Sequence, residues 1–310
     1  LAINDQYQDA KSLQSYFIGR INKILSDREL VMAGWEEVSM NINSDGSWSP
    51  NLNLIGKNVT SYVWNNLSNN IDLGYRLANA GFPIVLCDVS NLYFDMAYTK
   101  DPREQGSYWG GFVDTRKVWE FIPENLYWSS KRSSLGKLFN PAVDFKESVR
   151  LTKEGLANIT GIQGHLWSET LNGSDEMLEY YYLPRLIGLS ERAWAAHPQW
   201  ATVEDPMNRE NQETRAWQGF VYKLASKELP RLNYFNEGYQ YRIPPPGGII
   251  EEGLLKINHL YGMDVRYTLD GSEPSVSSIL YTQPIKVDGA ILIKAFDKAG
   301  GSSLSMGLIN

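Results

Sequence analysis

The sequence predicts an α/β fold with a parallel sheet, followed by a small all-β domain. Short apolar runs alternate with helical patterns four times within the first 200 residues, as strand–helix units do in parallel sheets. One amphipathic helix, residues 10–27, precedes the first of these units. After the proline- and glycine-rich segment 244–248, the pattern changes to short alternating strands joined by turns.

The elements of the first region follow the apolar runs in chain order. Strands are predicted at 30–35, 61–64, 84–87 and 161–167, and helices at 10–27, 71–78, 146–157 and 176–196. Gly81 supplies a helix C-cap, and Pro184 either kinks the last helix or marks its start. Residues 36–50 are predicted to form a polar loop. Residues 88–140 form an insertion rich in Tyr, Trp, Gly and Pro, and a loop of this length is usually functional.

Four parallel strands fit either a small open sheet or half of an eight-stranded (β/α) barrel. The opening helix favours the half barrel, because it resembles the second part of a unit whose strand is missing. We therefore expect residues 1–240 to form strands five to eight of a (β/α)8 TIM barrel with a trailing helix, and residues 241–310 to form a β-sandwich domain. A half barrel would expose an open sheet edge, so we expect it to need its N-terminal half.

Composition excludes several classes of protein. The net charge of −7 argues against a nucleic-acid partner, which would need a clustered basic surface. No apolar run is long enough to span a membrane. The three histidines are widely separated, so neither a metal site nor a cofactor is predicted. Cys87 lies in an apolar run and is expected to be buried. The chain begins without Met or an apolar leader, so any signal peptide is expected to be absent from it.

Aromatic side chains, with acids or amides beside them, lie at or just after the ends of all four predicted strands. The segments concerned are Trp35-Glu36-Glu37, Trp64-Asn65-Asn66, Tyr93-Phe94-Asp95 and Trp167-Ser168-Glu169. Active sites of parallel (β/α) folds lie at the carboxyl ends of the strands. Aromatic rings pack on the apolar faces of sugars, while acids and amides bind their hydroxyl groups. A single Trp in such a place would fill a core, but three strands ending in Trp predict a carbohydrate pocket.

Longer motifs in this order resemble those of glycoside hydrolase family 20, in particular its bacterial chitobiase branch. The motifs are Gly34-Trp35-Glu36-Glu37, Tyr93-Phe94-Asp95, Asp101-Pro102-Arg103-Glu104, Tyr108-Trp109-Gly110, Gly161-Ile162-Gln163-Gly164, Trp167-Ser168-Glu169-Thr170 and Glu191-Arg192-Ala193-Trp194. The segment Tyr267-Thr268-Leu269-Asp270-Gly271 is similar to part of the β-sandwich that closes those enzymes. The resemblance covers nearly the whole chain.

The resemblance implies hydrolysis of terminal N-acetyl-β-D-hexosamine residues by a retaining mechanism in which the substrate's own acetamido group is the nucleophile. It assigns the catalytic role to Tyr93, which would donate to the acetamido oxygen. The substrate-binding residues that it implies are Trp35, Trp64 and Trp167 around the sugar, Asp95 and Glu169 at its distal hydroxyls, and Trp109 under the next sugar. An enzyme of this kind would be exported, so a periplasmic or secreted location is expected.

Two parts of the family pattern are missing. The general acid of the family is a Glu directly after an Asp, in a His-x-Gly-Gly-Asp-Glu motif that does not occur here. The only Asp-Glu dipeptide, Asp175-Glu176, follows the last strand, where acids at a helix N-terminus are a sufficient explanation. The family's sugar-binding Arg would also lie upstream. We therefore expect the acid pair in a preceding segment.

Two other functions stay open on the sequence. The chain could belong to a non-catalytic carbohydrate-binding protein that kept the aromatic pocket, or to an inactive fragment. It could also be a self-sufficient glycosidase that pairs Glu36 or Glu37 with Glu169, for which the two carboxyls would have to lie ~5–5.5 Å apart. The preference for GlcNAc or GalNAc does not follow from the sequence.

Overall fold

The computed structural model describes residues 10–43 and 47–309. They form two compact units, of which the first runs to Thr170 and also includes Gly188–Ala196. The second comprises Leu171–Ile187 and the chain from His197 onward. The predicted domain boundary at residue 240 stays a prediction.

The first unit contains short strands and mostly short helices. Its strands are β1 Met32–Trp35, β2 Met40–Ile42, β3 Trp48–Pro50, β4 Val59–Val63, β5 Ile84–Leu86 and β6 Ile159–Ile162. Its helices are α1 Ala10–Ser26, α2 Leu73–Ala80, α3 Val89–Leu92, α4 Thr115–Trp119, α5 Leu126–Ser129, α6 Pro141–Asp144 and α7 Lys153–Leu156. Among the described helices, none is both long and apolar enough to cross a membrane.

The predicted parallel sheet is confirmed. β1, β4, β5 and β6 pair in chain order, and every pairing is parallel, with Gly34 opposite Ser61 and Ser61 opposite Ile84. The carboxyl ends of all four strands therefore lie along one edge. The two middle strands alternate buried and half-buried residues, whereas each outer strand has an exposed residue, Ala33 in β1 and Thr160 in β6.

The hydrophobic core of this unit is built around the two middle strands, β4 and β5. Leu77, Ile84, Leu86, Leu92 and Phe94 are fully buried there. The predicted C-cap of α2 is confirmed, because Gly81 has a φ of 101° and its N–H donates to the Ala78 carbonyl. Glycine adopts this left-handed conformation without steric cost.

Two sequence expectations were wrong in detail. Part of the predicted polar loop 36–50 pairs as an antiparallel ribbon of β2 and β3. The predicted helix 146–157 is reduced to α7, whose N-cap Thr152 accepts from the Gly155 N–H. The predicted effect of Pro184 on the helix 176–196 is confirmed, since the chain forms α8 Glu176–Tyr182 and α9 Arg185–Trp194 on either side of it, because proline has no N–H for an intrahelical hydrogen bond.

The second unit begins with helices and ends with strands. Besides α8 it contains α10 Pro206–Lys223, a π-helical turn Leu224–Glu228 and α11 Leu229–Leu232. Its strands are β7 Gly247–Glu251, β8 Leu254–Asn258, β9 Asp264–Thr268, β10 Ile279–Leu280, β11 Ile285–Lys286, β12 Ala290–Phe296 and β13 Met306–Ile309. They form two antiparallel sheets, ordered β10-β9-β12-β13 and β11-β8-β7.

The two sheets approach each other closely at Gly248. A Cβ atom at this position would lie 2.7 Å from Leu308 and 2.9 Å from Ile293, both of the other sheet. Ile293 is fully buried, so the sheets share an apolar core between them, as predicted for a small all-β domain.

Candidate active site

The carboxyl edge of the parallel sheet brings predicted site residues together. Trp35 is the last residue of β1, and Trp64 directly follows β4. Tyr93 follows α3 and forms an isolated parallel bridge with His165, whose N–H donates to the Leu92 carbonyl over 2.9 Å. This bridge continues the parallel pairing beyond β6, so that Trp167, two residues after His165, also lies at the carboxyl edge of the sheet.

Five aromatic side chains, which we call the aromatic cage, lie against one another at this edge. They are Trp35, Trp64, Tyr93, Trp109 and Trp167. Ring centroids are 5.9 Å apart for Trp35 and Trp167, 6.2 Å for Tyr93 and Trp167, and 6.4 Å for Trp64 and Tyr93. Trp109 is edge-on to Trp64 at 6.1 Å and to Tyr93 at 6.2 Å. The structure thus places all five predicted aromatic site residues in one cluster.

Tyr93 occupies the centre of the aromatic cage. The residue is 3% exposed. Burial raises the pKa of Tyr93 well above its usual value, and the negative charges of Glu36 and Asp95 raise it further. The phenol therefore stays protonated at neutral pH and can donate a hydrogen bond.

The two predicted acids of the pocket differ in their surroundings. Asp95 is 4% exposed and lies near enough to Tyr93 for its charge to act on the phenol. Glu169 is exposed, on a short 3-10 helix Ser168–Thr170. Among the described contacts, none joins Glu169 to Asp95 or to the aromatic cage. Their roles toward a sugar stay predictions.

The loop that carries Trp109 is anchored beside Asp95. The Ser107 N–H donates to the Asp95 carbonyl over 2.8 Å, and the Ala97 N–H donates to the Ser107 carbonyl over 2.7 Å. Gly106, with a φ of 121°, allows this approach, since a Cβ there would lie 2.7 Å from both the Asp95 oxygen and the Ala97 nitrogen. Trp109 itself remains 50% exposed. Half of the surface of this residue is therefore accessible to solvent.

His165 is a member of the cluster that the sequence analysis missed. Its ring centroid lies 5.1 Å from that of Trp35 and 5.4 Å from that of Tyr93. It stacks on Trp167 at 6.2 Å with an interplanar angle of 13°. Burial lowers its pKa, so the ring is neutral at neutral pH. The available signal was the alternation of an extended chain, which places His165 and Trp167 on the same face.

Glu36 is the second residue whose role was missed. It begins a 3-10 helix Glu36–Ser39 directly after β1 and is 3% exposed. Its two carboxylate oxygens accept the backbone N–H groups of Trp64, over 3.0 Å, and Asn65, over 3.2 Å. Burial raises its pKa to about 7, and the charge of Glu37 adds to this.

Asp88, which follows β5, is a second buried carboxyl near Glu36. It is 2% exposed. Burial raises its pKa to about 8, to which the charge of Glu36 contributes, while a hydrogen bond from Asn66 lowers it. Its Oδ2 atom has no hydrogen-bond partner among the described residues, which fits a protonated carboxyl at neutral pH.

The surroundings of Glu36 bear on a self-sufficient glycosidase. A catalytic carboxylate needs an oxygen that can reach the glycosidic bond, but both oxygens of Glu36 are directed at backbone N–H groups. Both oxygens of Glu36 are thus engaged, which argues against a role of this carboxylate as acid or nucleophile. Within the described residues, no group of three His, Cys, Asp or Glu side chains is arranged to hold a metal ion.

Comparisons with known proteins agree with this geometry. Residues 1–197 match the profile of the glycosyl hydrolase family 20 catalytic domain, and residues 228–304 match the chitobiase/beta-hexosaminidase C-terminal domain. A beta-hexosaminidase of Vibrio vulnificus is 30% identical over 91% of this chain and 35% of its own length. An N,N'-diacetylchitobiase of Vibrio harveyi is 27% identical over 69% of this chain and 25% of its own length.

Solved structures resemble the chain in part. A Streptomyces plicatus N-acetyl-beta-hexosaminidase in complex with Thio-NAglucal aligns with 72% of this chain and 34% of its own, at 19% identity and a TM-score of 0.45. The chain therefore spans about a third or less of the length of these relatives.

Proposed function

Because the chain belongs to glycosyl hydrolase family 20, we propose that the protein containing it hydrolyses terminal non-reducing N-acetyl-β-D-hexosamine residues of chitooligosaccharides or glycans. The observation that carries this proposal is the aromatic cage with a protonated Tyr93 at its centre. Apolar ring faces suit the C–H faces of a sugar and the methyl group of its acetamido substituent. A single hydroxyl donor among them suits the acetamido oxygen.

In this proposal Trp35, Trp64 and Trp167 enclose the sugar and its acetamido group. Tyr93 donates its hydroxyl hydrogen to the acetamido oxygen and holds that oxygen beneath the anomeric carbon. The buried Asp95 and the exposed Glu169 accept hydrogen bonds from the distal hydroxyls of the sugar. Trp109, half exposed at the rim, stacks under the following sugar.

The reaction proceeds in two steps with retention of configuration. The acetamido oxygen forms a bond to the anomeric carbon while the glycosidic C–O bond breaks, and the leaving oxygen takes a proton from the general acid. The resulting oxazolinium ion is positively charged. Water then attacks the anomeric carbon and gives a proton to the same acid. The bond between the anomeric carbon and the acetamido oxygen breaks in this step, which restores the acetamido group. Tyr93 orients the nucleophile in the first step.

The general acid of the proposed reaction lies in a preceding segment of the protein. The sequence has no His-x-Gly-Gly-Asp-Glu motif, and the carboxylate of Glu36 is engaged by backbone N–H groups. The matched Vibrio vulnificus enzyme is about three times as long as the part that this chain covers. We place strands five to eight of a (β/α)8 barrel in this chain, completed by an N-terminal half. We further propose that the protein acts in the periplasm or is secreted.

The test is hydrolysis of a chromogenic N-acetyl-β-D-glucosaminide by this chain alone and after addition of the upstream half of the protein. Activity in the mixture only is the expected result. Activity of the chain alone would overturn the placement of the acid upstream. A mixture that folds and binds N-acetylglucosamine without hydrolysing the substrate would favour a carbohydrate-binding protein.

A further inference from the structure

Two walls of the aromatic cage are connected through one side chain. Trp35 ends β1, and Glu36 follows it directly. The carboxylate of Glu36 crosses to the neighbouring strand and accepts the N–H groups of Trp64 and Asn65, the first two residues after β4. Glu36 is thus covalently bonded to one wall and hydrogen-bonded to the other.

The parallel sheet provides no hydrogen-bond acceptor for the backbone at Trp64. The pairing of β1 with β4 ends at Trp35 opposite Tyr62, so the strand ladder offers no carbonyl to the Trp64 N–H. A buried N–H without an acceptor is costly. The carboxylate replaces the missing ladder, and hydrogen bonds to a charged acceptor are the stronger kind. The Trp64 carbonyl is held from the other side, where it accepts the Val89 N–H over 3.0 Å.

We infer that Glu36 is a positioning residue that fixes the distance between Trp35 and Trp64 and thereby shapes the acetamido pocket. It does not touch the sugar, since both of its oxygens face the backbone of the cage. The effect reaches Tyr93 through Trp64, whose ring centroid lies 6.4 Å from that of the phenol. This inference rests on the proposed function.

Protonation of Glu36 is expected to weaken its hydrogen bonds with the N–H groups of Trp64 and Asn65. The ionised carboxylate accepts both N–H groups, whereas a neutral carboxyl is a weaker acceptor at its hydroxyl oxygen. The pKa of about 7 places the change near neutral pH. The titratable groups that act on or respond to Glu36 are Glu37 in its own turn, Cys87 and Asp88 after β5, and Tyr93 in the cage.

The experiment compares Glu36→Gln with Glu37→Gln in the full-length protein. Glutamine keeps one acceptor oxygen and presents an amide NH2 to the other N–H, while Glu37 makes no described hydrogen bond to Trp64 or Asn65. Binding of N-acetylglucosamine is measured by tryptophan fluorescence from pH 5 to 9. The wild type is expected to bind more tightly as the pH rises through about 7, and Glu37→Gln to do so at a lower pH, because the charge of Glu37 helps to raise the pKa of Glu36.

Glu36→Gln is expected to bind about tenfold more weakly, because one of the two N–H groups then lacks an acceptor, a loss of this order, and to lose the pH midpoint. A purely structural role would lower the Tm without removing that midpoint. Wild-type affinity and an unchanged midpoint in Glu36→Gln would overturn the inference and leave the proposed function intact. A wild type that binds no N-acetylglucosamine would overturn the proposed function, and the inference with it.

A second measurement covers the case in which Glu36→Gln does not fold. The backbone amide resonances of Trp64 and Asn65 in the wild-type protein are followed by NMR over the same pH range. Both are expected to shift with one common midpoint near 7. Amides that do not respond to pH would overturn the inference, since their acceptor would then not be the titrating carboxyl.

Discussion

Tyr93 and His165 lie side by side at the carboxyl edge of the sheet, with ring centroids 5.4 Å apart and ring planes inclined by 52°. The backbone bridge between them fixes this pairing. The Nε2 atom of His165 is buried and has no hydrogen-bond partner among the described residues. His165 therefore packs as an aromatic ring among Trp35, Tyr93 and Trp167, and its polar atom is a cost to the fold.

Two substitutions of His165 distinguish the contribution of ring packing to stability from the cost of the buried nitrogen. His165→Phe keeps an aromatic ring and removes the buried nitrogen, so we expect the free energy of unfolding to rise by about 1 kcal/mol. His165→Ala removes the packing and is expected to lower it by about 3 kcal/mol, as large-to-small core substitutions do. Urea denaturation measures both values. Equal destabilisation by the two substitutions would show instead that the nitrogen has a polar partner in solution.

The hydroxyl of Tyr93 is the second target. Tyr93→Phe removes the donor to the acetamido oxygen and leaves the ring in the cage. We expect kcat of the complete enzyme on a chromogenic N-acetyl-β-D-glucosaminide to fall by about 10²–10³, the loss found when one donor to a reacting oxygen is removed. Tyr62→Phe, a change within β4, is the control and should retain activity. A Tyr93→Phe enzyme with wild-type kcat would contradict the assigned role.

The positions of Trp35, Trp64 and Trp167 could be predicted, because they depend on where strands end, whereas Trp109 lies in a loop and was assigned only by the family resemblance. Trp35 and Trp64 follow apolar runs, and the ends of parallel strands meet at one edge. Glu36 could not be assigned in this way. Its burial depends on the Trp64 N–H, which lacks an acceptor only because β1 ends at Trp35. A sequence shows a strand and its acid, but not which backbone groups the neighbouring strand leaves unpaired.

A helix was harder to predict than the strands where contacts with distant residues compete with the local helical pattern. Residues 146–157 have helical spacing, but only Lys153–Leu156 forms a helix. The Val149 N–H instead donates to the Asp72 carboxylate over 2.8 Å, and the Thr152 N–H donates to the Asn79 side chain over 3.0 Å. These contacts join residues more than 70 positions apart in the chain, so tertiary structure overrides the local pattern.

The Trp109 loop provides a test of the predicted stacking platform. Gly106→Ala adds a Cβ that would lie 2.7 Å from the Asp95 oxygen at a φ of 121°, so the loop must move. We expect binding of N,N'-diacetylchitobiose to weaken by about fivefold to tenfold, corresponding to about 1 kcal/mol of lost aromatic contact, with less effect on N-acetylglucosamine.

Gly161→Ala is the matched control for this substitution. Gly161 lies in β6, and a Cβ there meets no other atom within 4 Å. The control should bind both sugars as the wild type does. Isothermal titration calorimetry with the two sugars measures the difference. Equal losses for the disaccharide and the monosaccharide in Gly106→Ala would contradict a separate site for the second sugar at Trp109.

The buried carboxyls predict how stability depends on pH. The pKa of Glu36 rises from 4.5 in the unfolded chain to about 7 in the folded one, and that of Asp88 rises from 3.8 to about 8. The folded state therefore binds more protons than the unfolded state between these values. The stability that Glu36 contributes is fully present below pH 4.5 and is lost as the pH rises through about 7, amounting to about 3 kcal/mol.

Glu36→Gln isolates this contribution from other titrating groups. Buried His165 acts in the opposite direction, because its pKa is lowered and the fold gains stability as the pH rises from the folded toward the unfolded pKa of this residue. The informative quantity is thus the difference between wild type and Glu36→Gln in the free energy of unfolding, measured with urea at pH 5, 6, 7 and 8. We expect wild type to lose stability relative to the variant across this range, by an amount approaching 3 kcal/mol. A difference independent of pH would mean that the carboxylate is already ionised at pH 5. Its hydrogen bonds to Trp64 and Asn65 would then outweigh the cost of burying its charge.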